Sequence, residues 1–111
     1  MSTNRRIVIK APGDAQIVEG PLPTLPSEEW MLVKTTAVAL NPTDWKHVEL
    51  ANIFKCVGAG VGCDYAGVVV KVGSGVTKAF KEGDRVTGPV RGRLVCIFCV
   101  AKRSLLTRVI Q

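Results

Sequence analysis

The stretch Tyr65-Ala-Gly-Val-Val-Val-Lys-Val72, closed by Gly73-Ser74-Gly75, decides the fold together with Lys81-Glu82-Gly83-Asp84, which leads into Arg85-Val86-Thr87. β-Branched residues at this density favour an extended, pleated backbone, and the glycine, serine and aspartate clusters are residues that turn chains. Gly83 is free to take the positive φ that such a turn demands. Toward the amino terminus, Trp30 to Leu40 alternates loosely. Met31, Val33, Thr35, Ala37 and Ala39 fall on one face and Leu32, Lys34, Thr36, Val38 and Leu40 on the other, which predicts a long strand partly buried on both sides. Pro42 ends that strand, and Thr43 is placed to cap a short helix running through Trp45 and Lys46 toward Leu50.

Further out, Arg6 to Lys10 and Gln16 to Glu19 are short β-branched runs around Pro12-Gly13-Asp14, a hairpin-like opening. The prolines of Gly20-Pro-Leu-Pro-Thr-Leu-Pro-Ser-Glu-Glu29 exclude a helix or central strand there and predict an extended surface connection. Short strands with turns every 8 to 12 residues or about that predict a mainly β chain, a small barrel with one or two short helices.

At 111 residues the chain has room for one domain and one modest core. Its hydrophobic share of 47% and charged share of 22% are those of a folded globular protein. The net charge of +6 invites a nucleic-acid reading, but its distribution argues otherwise. Eleven Lys and Arg against nine Asp and Glu precede Arg93, a balance of +2; Arg93, Lys102, Arg103 and Arg108 supply the remaining +4. No basic face and no nucleic-acid partner are expected. The opening Met1-Ser-Thr-Asn-Arg-Arg-Ile-Val-Ile-Lys10 lacks the apolar run of about 7 to 15 residues that a secretory signal needs. The longest apolar run, Leu94 to Ala101, is far below the ~18 residues that span a bilayer. A cytoplasmic protein with free thiols and no membrane partner is the expectation.

Three stretches then occur in an order and spacing that resembles the medium-chain dehydrogenase/reductase superfamily. They are Ala39-Leu-Asn-Pro-Thr-Asp-Trp-Lys46, Gly62-Cys-Asp-Tyr-Ala-Gly-Val-Val69 and Gly83-Asp-Arg-Val86, with Val72-Gly-Ser-Gly-Val76 between the last two. The resemblance covers residues 5 to 92 and is closest to fungal trans-acting enoyl reductases. It implies a GroES-like, partly open β-barrel at residues 1–92, no Rossmann domain, and an atypical tail at 93–111 outside the family fold.

The resemblance also implies chemistry. Asn41 and Cys63 match the positions of catalytic zinc ligands in the family's alcohol dehydrogenases, and an amide with one isolated thiol makes a poor zinc site, so no metal is expected. The zinc-independent branch passes hydride from NADPH to an electrophilic alkene. In it, the loop matching Thr43, Asp44, Trp45 and Lys46 lies beside the nicotinamide end of the cofactor, with Asn41, Pro42, Asp64 and Tyr65 as secondary positions. Read without the family, the same residues are a helix cap at Thr43, a carboxylate at the helix amino end and a core tryptophan. The function so implied is NADPH-dependent reduction of an enoyl thioester, with a polyketide synthase or a complementing chain as partner. Lacking a nucleotide-binding half, the chain reads as truncated and inactive alone. The alternatives are a non-catalytic interaction module, self-associating through uncovered apolar surface, or a fragment of a mis-drawn gene.

Three other patterns are weaker. Gly58-Ala-Gly60-Val-Gly62 lacks the last glycine of a dinucleotide fingerprint and precedes a strand, not a helix. Cys96-Ile-Phe-Cys99 has metal or redox spacing but large apolar residues between its thiols. His47, the only histidine, is expected exposed on the short helix.

Overall fold

The computed structural model describes residues 3–76, 80–89, 98–102 and 107–108. The elements run β1 (Asn4–Ala11), β2 (Asp14–Gly20), β3 (Trp30–Val38), α1 (Pro42–Glu49), β4 (Asp64–Val72), β5 (Arg85–Pro89), β6 (Phe98–Lys102) and β7 (Thr107–Arg108). β1 and β2 form a separate antiparallel hairpin, and the rest make one antiparallel sheet in the order β6-β3-β4-β5-β7. Mainly β, with open sheets and one short helix among the described residues, the chain has the predicted class.

The central pair is β3 with β4, in register from Met31↔Val72 to Val38↔Tyr65. The period-2 pattern puts Met31 and Val33 of β3, Tyr65 and Val69 of β4 and Val86 of β5 on one buried face, with Val72, Val76 and Phe80 packed against it. The expectation that β3 is partly buried on both sides is met only in its first half. From Thr36 to Val38 the strand is exposed; the described residues of β6 pair with Trp30 to Lys34. The β3–β4 register slips between Thr35 and Ala37, and the Thr36 hydroxyl donates to the Ala66 carbonyl across the break at 3.1 Å. β4 can lie this close to β3 because residue 67 is glycine: a Cβ there would strike the Lys34 carbonyl oxygen and Val33 Cγ1.

A second, smaller cluster of Ile9, Ala51 and Cys56, with Val48, Ala59 and Val61 against it, docks the hairpin on the segment after α1. Its backbone is stitched as well: Ile9 N–H donates to Ala59 O at 2.9 Å, Gly58 N–H to Ile9 O at 2.7 Å and Val61 N–H to Ile7 O at 3.0 Å. The glycines of 58–62 therefore run beside β1 as a bent edge. Gly58 and Gly62 take φ of 89° and 117°, which a side chain would resist.

Beyond Gly92 the described backbone joins the sheet. β6 borders β3 from Trp30↔Lys102 to Lys34↔Phe98, and β7 borders β5 at Val86↔Arg108 and Thr87↔Thr107. Phe98–Lys102 and Thr107–Arg108 thus contribute seven residues of strand. An apolar run beside unpaired strand edges gains ladder hydrogen bonds by pairing there. Cys96 and the side chain of Cys99 lie outside the described residues, as does the rest of 93–97.

Candidate functional site

The residues singled out in sequence converge where α1 begins and β4 begins. Asn41, not Thr43, is the N-cap: its φ of −116° and ψ of 148° are extended, and Pro42 occupies the first helical position, where its missing N–H costs nothing. Asp44 folds back so that its Oδ2 accepts the Asn41 N–H at 2.9 Å, while its own N–H donates to Asn41 O at 2.9 Å. Asn-Pro followed by an acid three residues after the asparagine carries this signal, and Thr43 masked it as an equally good capping type.

Thr43, released from capping, sits half-buried in the first turn. Its hydroxyl lies 2.9 Å from His47 Nδ1 and 3.7 Å from Cys63 Sγ, and its carbonyl lies 2.6 Å from the same ring nitrogen. His47 is accordingly half-buried rather than exposed, with its ring 5.0 Å from that of Phe54 at an interplanar angle of 55°. One turn of helix brings residues 43 and 47 together, and this contact could have been read from the i, i+4 spacing.

Just ahead of β4, Cys63 Sγ donates to Asp44 Oδ1 at 3.4 Å, and Asn41 Nδ2 donates to Oδ2 of Asp64, the first residue of β4, at 3.4 Å. Partial burial pushes the Cys63 thiol above the ordinary cysteine range; Asp44 and Asp64 push it the same way, and Thr43 opposes them. Tyr65 is buried in the sheet core, one residue past this junction.

The four residues of the implied cofactor turn therefore divide. Thr43 and Asp44 are half-buried and engaged in bonds inside the protein. Trp45 is 59% exposed, so the core position that the residues alone suggest is not where it lies. Lys46 is exposed too, with Nζ 5.8 Å from the Trp45 ring centroid. The helix is anchored from behind through Gly13 N–H to Val48 O at 2.9 Å and Cys56 Sγ to His47 O at 3.3 Å. The donor set does not suit zinc: the Asn41 amide and the Cys63 thiol are turned to carboxylates as hydrogen-bond donors. Among the described residues no three of His, Cys, Asp and Glu are grouped to hold a metal ion. No described helix is long and apolar enough to cross a membrane.

Residues 27–109 match the family described as the alcohol dehydrogenase GroES-like domain. The trans-enoyl reductase resD of Aspergillus sclerotiorum is 53% identical over 87 residues, which is 78% of this chain and 23% of that protein. Among solved structures, the quinone oxidoreductase of Coxiella burnetii superposes with a TM-score of 0.85 at 23% identity, over 99% of this chain and 38% of its own. The Escherichia coli quinone oxidoreductase solved with NADPH gives 0.79 at 24%, over 96% of this chain and 33% of its own. The chain spans about a quarter of the length of the curated relatives it matches.

Proposed function

Since this chain belongs to the alcohol dehydrogenase GroES-like domain family, we propose that it is the barrel-bearing part of a zinc-independent, NADPH-dependent medium-chain reductase that reduces an enoyl thioester in fungal secondary metabolism. The observation that carries this reading is the first turn of α1, where Trp45 and Lys46 stand exposed while Asn41, Thr43 and Asp44 brace the backbone behind them. Lys46 offers a point charge to a cofactor phosphate or a substrate carbonyl, and Trp45 an apolar plane beside it. Thr43 and Asp44 hold the turn, with Asn41, Pro42, Asp64 and Tyr65 supporting it. NADPH, when bound, supplies the hydride; a conjugated alkene is electrophilic enough to accept it without a Lewis acid.

The described residues contain no strand, glycine turn and helix in the order that receives a pyrophosphate. These 111 residues alone are therefore proposed to hold NADPH weakly and not to turn over. The reading calls for a polyketide synthase that presents the thioester, or a chain that supplies the nucleotide contacts, met in the cytoplasm.

The test is a chimera in which this chain replaces the matching segment of a trans-enoyl reductase. NADPH oxidation that depends on an enoyl thioester, with KM for NADPH raised several-fold by Lys46→Ala, is the expected result. A folded chimera that consumes no NADPH with any conjugated thioester would sink the reading. NADPH added to the chain alone should leave its Tm unchanged.

A specific feature supports a second reading, an interaction module. Leu50, Ile53, Phe54 and Val57 follow the spacing of one helical face, yet all are exposed, Ile53 by 72%. Light scattering on size-fractionated protein decides: a defined dimer supports self-association there, and a monodisperse monomer counts against it.

A further inference from the structure

We propose that Cys63 is a positioning residue: its thiol, as a hydrogen-bond donor, fastens the first turn of α1, with Thr43 and Asp44, to the start of β4. The functional consequence rests on the reading of that turn as cofactor-facing; the fastening itself does not. Both carboxylate oxygens of Asp44 are used. Oδ2 accepts the Asn41 N–H at 2.9 Å and closes the turn on itself, and Oδ1 accepts Cys63 Sγ–H at 3.4 Å and ties the turn to another element. The Thr43 hydroxyl, at 3.7 Å from the same sulfur, is held on its far side by His47 Nδ1 at 2.9 Å. A neighbouring tie, Asn41 Nδ2 to Asp64 Oδ2 at 3.4 Å, joins the N-cap of α1 to the first residue of β4. Gly13 and Cys56 hold the last turn of α1, and these side chains tie its first turn, with Thr43 and Asp44, to the segment that opens β4.

The donor must be the thiol. A thiolate has no proton to give Asp44 and would face the charges of Asp44 on α1 and Asp64 on β4, with only Thr43, itself leaning on His47, to stabilise it. The same arrangement keeps Cys63 a poor nucleophile beside a turn proposed to handle electrophilic alkenes, because only the thiolate adds to such an acceptor.

Two measurements on the whole chain test this without NADPH. In the first, iodoacetamide labelling is followed at the Cys63 peptide by mass spectrometry across pH, for the native chain, for Asp44→Asn and for the unfolded chain. The native midpoint should lie above the unfolded one and fall toward it in Asp44→Asn. In the second, amide exchange at Asn41 and Asp44 is compared in Cys63→Ala and Cys63→Ser. The alanine variant should exchange about five-fold faster, the loss of one ordinary hydrogen bond, and serine should restore most of the protection. Native and unfolded midpoints that coincide, or serine and alanine variants that exchange alike, overturn the proposal. Should Asp44→Asn fail to fold, those two comparisons decide it. A failed chimera with these results intact would remove the reductase reading and leave the fastening.

Discussion

The sheet core and the α1–β4 junction are built from opposite materials. Met31, Val33, Tyr65, Val69 and Val86 close on one another between paired strands, where the backbone is already satisfied and only shape remains to be matched. At the junction, Asn41, Thr43, Asp44, Cys63 and Asp64 are half-buried polar groups that bond one another, beside apolar side chains that stay exposed, Ile53 among them. The sheet is organised by burial and will tolerate polar changes outside it. The junction is organised by direction, so a single atom of the wrong type should disturb it while hardly changing overall stability.

The largest effect should come from Met31→Ala, which opens a cavity in the sheet core: a loss of about 3 kcal/mol in urea unfolding. An equal loss from a junction variant such as Asp44→Ala would erase the distinction. Asp44→Ala should instead cost about 1 kcal/mol, the worth of a helix-start bond, with amide exchange sped up in α1 and not in β4. Lys55, in the segment after α1, is held at φ of 51°, where a side chain is strained. Lys55→Gly should raise stability by about 0.5 to 1 kcal/mol, read by thermal unfolding; a lowered Tm would mean that the segment is held by something other than this turn.

The smallest effect belongs to the latch at the far end of the sheet. The Ser74 hydroxyl donates to Glu28 Oε2 at 2.5 Å and its N–H to the same oxygen at 3.0 Å. These bonds hold the Glu28 carboxyl below its usual range. A carboxylate favoured in the folded state adds stability above its unfolded pKa and loses it as pH falls through the folded value. The Tm gap between the native chain and Ser74→Ala should therefore be present at pH 7 and close as pH falls through the lowered carboxyl range of Glu28. Because Glu28 is exposed, salt should narrow the gap too. A gap that persists in acid would assign Ser74 a purely backbone role.

The legible parts of this fold were those with a repeating signal. The β-branched run of β4 and the turn at Lys81 to Asp84 gave strand, turn and strand nearly to the residue, since pleating and turn chemistry are local. What failed was partner-dependent. Alternation in β3 promised two covered faces, but Thr36 to Val38 lie exposed, because burial depends on what packs over a face and alternation does not report that. The pairing of Phe98–Lys102 with Trp30 to Lys34 joins residues 64 to 72 positions apart, which no sequence window can see. At the site, Asn41 and Thr43 are both good cap residues, and only the backbone decided between them. Trp45 looked like core by size, and lies exposed because α1 presents its other side to Gly13 and Cys56.

Residue types and their local order, acting over a few bonds, determined on their own a mainly β chain and a short helix starting at Pro42. Tertiary structure alone decided that Cys63 gives its proton to Asp44, that Thr43 meets Cys63 and that Asn41 donates to Asp64. Those contacts join residues about twenty positions apart, and hydrogen bonds are fixed by distance and direction, which exist only once the strands have paired.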